Sequence, residues 1–242
     1  MTHKVFPGER DRYVGGEPLR IGTRQVLLID DFMVEDRWNI RRAMNRPVKH
    51  PANPLVVGDK PWDRRPFLPS VLFDAEAGMF RMWYAVFDWF AFVHQFRKKD
   101  WTPEHGYPYF MCYAESPDGI TWEKPELGLI EYRGWKKTNV GMVGQQKCQA
   151  FRVIPNPPST GQPGRFLLNY KDNLPGASGA LCLAYSDDGI HWRPDPANPV
   201  LVGLRDTNHN LVYDDERERW LLFTRPMSFA GQHKMTEADE AY

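Results

Sequence analysis

The chain has 242 residues, 42% of them hydrophobic and 26% charged, which is ordinary for a soluble globular protein and leaves room for one large domain or two smaller ones with an ample core. Lys plus Arg and Asp plus Glu each number 31, so the formal net charge is zero; the short basic clusters Arg97-Lys98-Lys99 and Lys136-Lys137 read as solvated loop charges, and no nucleic-acid partner is expected. No apolar run approaches the ~20 residues of a membrane span, and 21 Pro with 19 Gly argue against a helix-rich fold.

Residues 1–24 are polar and rich in Gly and Pro, and read as an N-terminal arm. Their start, Met1-Thr2-His3-Lys4-Val5-Phe6-Pro7-Gly8, lacks the apolar core of a signal peptide. The three cysteines, Cys112, Cys148 and Cys182, are an odd number without metal-type spacing. The expected setting is therefore the reducing cytoplasm, with no cofactor and no metal. From residue 25 onward the pattern is all-β. Gln25 to Val34 reads as two strands about a turn at Asp30-Asp31, a segment that could complete the last blade of a ring closed by mixing its chain ends.

The chain is organised by a repeated phrase. Ser116-Pro117-Asp118-Gly119-Ile120-Thr121-Trp122 and Ser186-Asp187-Asp188-Gly189-Ile190-His191-Trp192 both read S-x-D-G-I-x-W, and their serines at 116 and 186 fix a period of 70 residues. A second phrase agrees: Pro51-Ala52-Asn53-Pro54 returns as Pro196-Ala197-Asn198-Pro199, an offset of 145, or about two periods. A degenerate copy, Pro125-Glu126-Leu127-Gly128, falls between them. In the S-x-D-G turn, Gly accepts positive φ while Ser and Asp bond the turn amides, so these residues read as architectural, with the following Trp packed on a neighbouring blade.

Each full period parses as a four-stranded meander. The first runs through Ser70 to Asp74, Met79 to Ala85, Tyr109 to Ala114, and a fourth strand at Trp122; the second through Ala150 to Ile154, Arg165 to Tyr170, Leu181 to Tyr185, and Trp192 onward. A third begins with Asn210 to Asp214 and Trp220 to Arg225. The expectation is an incomplete β-propeller over residues 25–242, with blades at about 59–125, 137–196 and an unfinished 204–226. Two and a half blades cannot close a ring of ~4–8. The chain therefore reads as the N-terminal part of a longer protein or as one that assembles with another chain, and its open blade edges favour self-association. Between the second and third strands of the first repeat, Asp88 to Pro108 is an insertion too aromatic for a solvated loop (Trp89, Phe90, Phe92, Phe96); it reads equally as a wall over one face of the propeller or as a short helix at the core edge.

The S-x-D-G-I-x-W turn, the Phe80-Arg81-Met82-Trp83-Tyr84 strand and the period resemble the five-bladed propellers of glycoside hydrolase families 32 and 43 and their relatives, over residues 25 to 226. The resemblance implies sugar chemistry in the central funnel by carboxylates that lead into the innermost strands. Hydrolysis needs two such groups flanking the bond, one protonated and one ionised. The Asp-Pro of family 43 is replaced here by Leu68-Pro69, and the Asn-Asp-Pro-Asn-Gly of family 32 and its acid glutamate have no match. Arg205-Asp206 resembles the Arg-Asp-Pro motif of family 32 without its proline.

The candidate catalytic carboxylates are thus Asp206 and Asp63, and the candidate substrate-binding residues are Trp62, Arg64, Arg205, His209 and Lys147. Each has a plainer alternative: a loop-bonding turn for Asp206, a salt bridge for Asp63, a hydrogen-bonded structural imidazole for His209, core packing for Trp62, a solvated charge for Lys147. Asp74 and Asp214 read as turn residues. Three functions stay open: a glycosidase-like enzyme, a non-catalytic propeller that binds glycans or proteins, and a glycoside phosphorylase. The first and third take a carbohydrate partner.

Overall fold

The computed structural model describes residues 38–204, 208–215 and 217–225. The chain divides into two units, residues 1–49 and 50–242. Of the first, residues 38–49 are exposed and carry no helix or strand; the expected strands at 25–34 lie outside the described residues.

The second unit is built of three antiparallel sheets. The first contains β1 (Pro66–Asp74), β2 (Met79–Phe87), β3 (Tyr109–Ser116) and β4 (Val140–Met142), paired in that order. The next contains β5 (Gln149–Pro155), β6 (Phe166–Leu174), β7 (Ala177–Ser186) and β8 (Arg193–Pro194), again in chain order. The third pairs β9 (Asn210–Asp214) with β10 (Arg219–Phe223). Two complete meanders and the first two strands of another, stacked face to face, are propeller blades.

Period-two alternation assigns each face. On β2, Trp83 and Ala85 join Met111 and Tyr113 in a core shared with Phe151, Val153, Phe166, Leu168 and Tyr170 of the second blade. The intervening Met82, Tyr84 and Val86 face the other way, onto Trp62 and Tyr132. Leu167 and Tyr185 turn from the second blade to Leu211 of the third. On the strands at either end of the stack, Val71, Phe73, Val212 and Phe223 remain exposed.

Both S-x-D-G turns share one geometry. Gly119 and Gly189 have φ of 74° and 73°. Their amides donate to Ser116 Oγ and Ser186 Oγ, each at 2.8 Å. Asp118 Oδ1 accepts from the amides of Ile120 and Thr121, and Asp188 Oδ1 from those of Ile190 and His191. Trp192 packs edge-on against Trp83 of the preceding blade, with ring centroids 6.3 Å apart. The turn itself also binds that blade: Trp83 Nε1 donates to the Gly189 carbonyl at 2.7 Å, and Arg81 donates to the Asp188 carbonyl at 2.8 Å. One blade onward, Asn169 Nδ2 donates to the His209 carbonyl at 2.7 Å.

The fourth strand of the first blade differs from the reading at Trp122. Glu123 makes only an isolated bridge to Glu115, and the strand proper is Val140–Met142, paired with Cys112 and Met111. Pro125 turns the chain outward, and the excursion lays Ile130 and Tyr132 over the blade's outer core before Asn139 returns to the sheet. Residues 138–142, read from sequence as leading into the second blade, thus finish the first. In the second blade the repeated Pro-Ala-Asn-Pro phrase has a strand-like part. Asn198 Oδ1 accepts from Leu183 N and Asn198 Nδ2 donates to Leu183 O, each at 2.8 Å.

Asp74 ties two blades at the end of β1. Its carboxylate accepts from Arg81 Nε of its own blade and from an Arg165 nitrogen of the next, both at 2.7 Å, and bonds the turn amides of Glu76 and Ala77. Burial pushes its pKa up, but Arg165, the Ala77 amide and Arg81 outweigh that and hold it below the ordinary 3.8. A depressed carboxylate contributes stability that is present above its unfolded pKa and lost as pH falls through the folded one. We expect the urea midpoint to drop as pH is lowered below about 4, and Asp74→Asn to flatten that acid limb. An unchanged limb in the variant would place the acid lability elsewhere.

Candidate functional site

The strand directions bring one set of segments to one end of the blades. The residues before β1 (Arg64, Arg65), the insertion between β2 and β3, the loop before β5 (Gln145 to Cys148) and the lead-in to β9 (Asn208, His209) share that end, as Phe87 pairs with Tyr109 and Cys148 N donates to Tyr109 O at 2.8 Å. The S-x-D-G turns and the hairpins at 75–78, 156–165 and 215–218 occupy the opposite end.

The insertion folds as α1 (Trp89–Phe92), a π-helical turn at Val93–Lys98 and a 3-10 turn at Pro103–His105. Asp88 caps α1 by accepting from Ala91 N at 3.1 Å, and is itself held by the Tyr132 hydroxyl at 3.1 Å and Arg133 at 3.2 Å. Its aromatic side chains form two stacks, one with a cation at each end and one with a cation at a single end. In one, the Arg97 guanidinium lies 4.8 Å from the Trp89 ring, Trp89 stacks on Phe92 at 5.4 Å, Phe92 meets Phe96 at 4.9 Å, and the Lys147 ammonium lies 5.5 Å from Phe96. In the other, Arg133 lies 4.5 Å from Phe90, which meets His94 at 4.5 Å, and His94 stacks on His105 at 4.0 Å. Such stacks exploit the negative ring faces. Gln95 Nε2 adds a 3.4 Å contact to Gln146 Oε1. The insertion therefore reaches the loop that feeds the second blade.

That loop is held by Asp172 at the end of β6. Its two oxygens accept from the amides of Gln145, Gln146, Lys147 and Asn173 at 2.6–3.1 Å. Burial pushes its pKa up against these four donors, which favour the ionised form. Gly144 is required here: at φ 68° a Cβ would lie 2.6 Å from Asp172 Oδ2. The carboxylate that serves this lead-in thus comes from the neighbouring strand β6 and not from the lead-in itself.

The candidate residues divide. Lys147 lies buried beneath Phe96, with its amide on Asp172. Arg64 is exposed at the same end, and His209 is buried beside β9, with Nδ1 2.7 Å from Thr224 Oγ1. Arg205 and Asp206 lie outside the described residues. Trp62 and Asp63 sit on the far side of the first blade. The Trp62 indole donates to Asn139 Oδ1 at 2.8 Å and packs in the outer core. Asp63 is fully buried; Oδ1 accepts from Lys60 N, and Oδ2 from the Tyr84 hydroxyl at 2.9 Å and Lys124 Nζ at 2.5 Å. Its salt-bridge partner is Lys124 rather than the adjacent arginines. This geometry makes Asp63 an anchor and Trp62 a packing residue, since neither presents a surface to a sugar. Among the described residues, no group of three His, Cys, Asp or Glu side chains is arranged to hold a metal ion, and no helix is long and apolar enough to cross a membrane.

No protein-family model and no curated protein matches the chain. Among solved structures, it is similar to the fructofuranosidase from Schwanniomyces occidentalis complexed with fructosylnystose, at 15% identity and a TM-score of 0.48 over 69% of this chain and 30% of that one. It is similar also to fructan 1-exohydrolase IIa from Cichorium intybus, at 16% identity and a TM-score of 0.41 over 72% of this chain and 30% of the other. A third likeness is to an N-acetylgalactosamine deacetylase from F. plautii in complex with blood group B trisaccharide, at 21% identity and a TM-score of 0.38 over 63% and 37%. The chain thus spans roughly a third of the length of these proteins. The glycoside-hydrolase likeness is one of fold, and it carries nothing about activity.

Proposed function

We propose that the chain forms part of a five-bladed, glycoside-hydrolase-like propeller that acts on or binds a glycan at the end where the strand lead-ins converge. The observation that carries this reading is the meeting of the aromatic insertion with the loop feeding the second blade, through Phe96 on Lys147 and Gln95 on Gln146. An aromatic wall beside convergent polar groups is the composition of a sugar site. Asp206, which precedes the third blade in sequence, is the carboxylate assigned to catalysis and Arg205 beside it in sequence is assigned to binding; His209, Lys147 and Arg64 belong to the lead-in end. Asp63 and Trp62 are assigned no contact with substrate. The second carboxylate that hydrolysis requires is not among the groups named here, so a binding-only propeller is the competing reading. Association through the open blade edges, where Val71, Phe73, Val212 and Phe223 are exposed, belongs to the same proposal.

The test is a panel of aryl glycosides, with a glycan array in parallel. Hydrolysis that falls by about a hundredfold or more in Asp206→Asn supports the catalytic assignment. Hydrolysis unchanged in Asp206→Asn removes Asp206 from the site, and binding without hydrolysis selects the competing reading. A protein that neither cleaves nor binds any glycan ends the proposal.

A further inference from the structure

The zero net charge conceals a division between the two ends of the blades. At the lead-in end, Arg64, Arg65, Arg97, Lys98 and Lys99 are exposed, and none of them makes an ion pair among the described residues. The carboxylates of that end are already engaged. Among the described residues, Asp88 is taken by Arg133 and Tyr132, Asp100 by His94 at 2.7 Å, and Asp172 by four amides, while Glu104 is an exposed acid of that end in no ion pair. The opposite end reverses the balance: Asp118, Asp215 and Glu218 are exposed and in no ion pair among the described residues, while Arg165 is neutralised by Asp74 and Glu76, Arg193 by Asp187, and Arg217 and Arg219 by Asp214. Excess like charge collected on one face raises the local concentration of counter-charged ligands and selects among them.

Resting on the glycan reading above, we infer that the lead-in end recognises an acidic glycan, one whose sugars carry carboxylates, in preference to a neutral one. Arg97 gives the inference its geometry. Its Cζ lies over the Trp89 ring, 4.8 Å from the centroid, and none of its N–H groups is taken by a hydrogen bond or ion pair among the described residues, so they can serve an oxyanion. Trp89 and Phe96 offer partly exposed apolar surface for the sugar rings beside it. Arg64 and Arg65, both exposed, precede β1 at the same end and extend the cationic surface for a chain of more than one sugar.

The experiment is calorimetric titration of the 242-residue protein with oligogalacturonate, with its methyl-esterified form, and with inorganic phosphate, at low and high salt. The inference expects the free acid to bind at least about tenfold more tightly than the ester, with the preference shrinking as salt rises. Arg97→Ala and the Arg64→Ala/Arg65→Ala pair should each remove most of that preference, and Arg217→Ala at the opposite end should leave it intact. Thermal melts confirm that the variants are folded, and Arg97→Glu should reverse the preference. Equal affinity for acid and ester, or a preference untouched by all the lead-in variants, overturns the inference while leaving the glycan reading standing. Binding of phosphate alone, at the same arginines and with no response to either glycan, overturns it in favour of a phosphate site. No glycan binding of any kind ends the glycan reading itself.

Discussion

Lys124→Met is expected to destabilise the protein by about 3–5 kcal/mol, the cost of leaving a buried carboxylate without its counter-charge. Lys124 gathers three acceptors from the segment that precedes β1. Its ammonium meets Asp63 Oδ2 and Asp59 Oδ1, each at 2.5 Å, and the Val57 carbonyl at 2.6 Å. The Asp63 side chain is 0% exposed and that of Lys124 only 9%, so solvent screens the pair little. Without the cation, Asp63 keeps the Tyr84 hydroxyl and the Lys60 amide, which do not neutralise it. Combining Lys124→Met with Asp63→Asn removes both charges and should recover much of the loss. Urea unfolding of the four proteins measures the cycle. A Lys124→Met protein as stable as the parent would free Asp63 from its anchoring part and reopen it as a chemical group.

Trp83→Ala should cost about 3–5 kcal/mol, in the range of the largest core truncations. Trp83 is fully buried between the first two blades. Its ring lies 5.6 Å from Phe166 and 5.9 Å from Tyr113, and its indole N–H meets the Gly189 carbonyl. Truncation opens a cavity and strands that carbonyl together. Trp83→Phe separates the two effects, because it keeps most of the packing and forfeits the hydrogen bond; its loss should be the smaller by far. The same contact can be attacked from the other side. A Cβ on Gly189 would stand 2.7 Å from Trp83 Cζ2, at a φ of 73° that already disfavours a side chain. If Trp83→Ala and Gly189→Ala added independently in denaturant melts, the two blades would not share this joint.

The parts legible in the sequence are those whose cause is local. The S-x-D-G turn is written in four neighbouring residues, because Ser, Asp and Gly satisfy one another's backbone within the turn, and so its period located the blades. The outer strand of the first blade is not written that way. Val140–Met142 is too short to stand out, and it pairs with residues about thirty positions earlier only after an excursion that Pro125 begins. Asp63 illustrates the same limit in the site: its partner Lys124 lies 61 positions downstream, whereas Arg64 and Arg65 are adjacent in sequence yet point to no carboxylate. The aromatic insertion was legible as something packed, and the short-helix reading holds for Trp89, Phe90 and Phe92, while Phe96 lies in the turn that follows and packs on Lys147. Asp172 escaped notice because it acts on a loop more than twenty positions before it.

The polar contacts between the first two blades run both ways. Trp83 of the first blade reaches forward to the Gly189 carbonyl of the second, while Arg165 and the Val153 amide of the second reach back to Asp74 and to Ser70 Oγ of the first. Each blade therefore grips and is gripped, and a lesion at the joint should be felt on both sides of it. Gly189→Ala should quicken hydrogen exchange in β2 of the first blade as well as in β6 and β7 of the second. Quickening confined to the second blade would mean that the joint carries no load. Blades meshed in this sense behave like a zip, where a tooth lost from one side frees both.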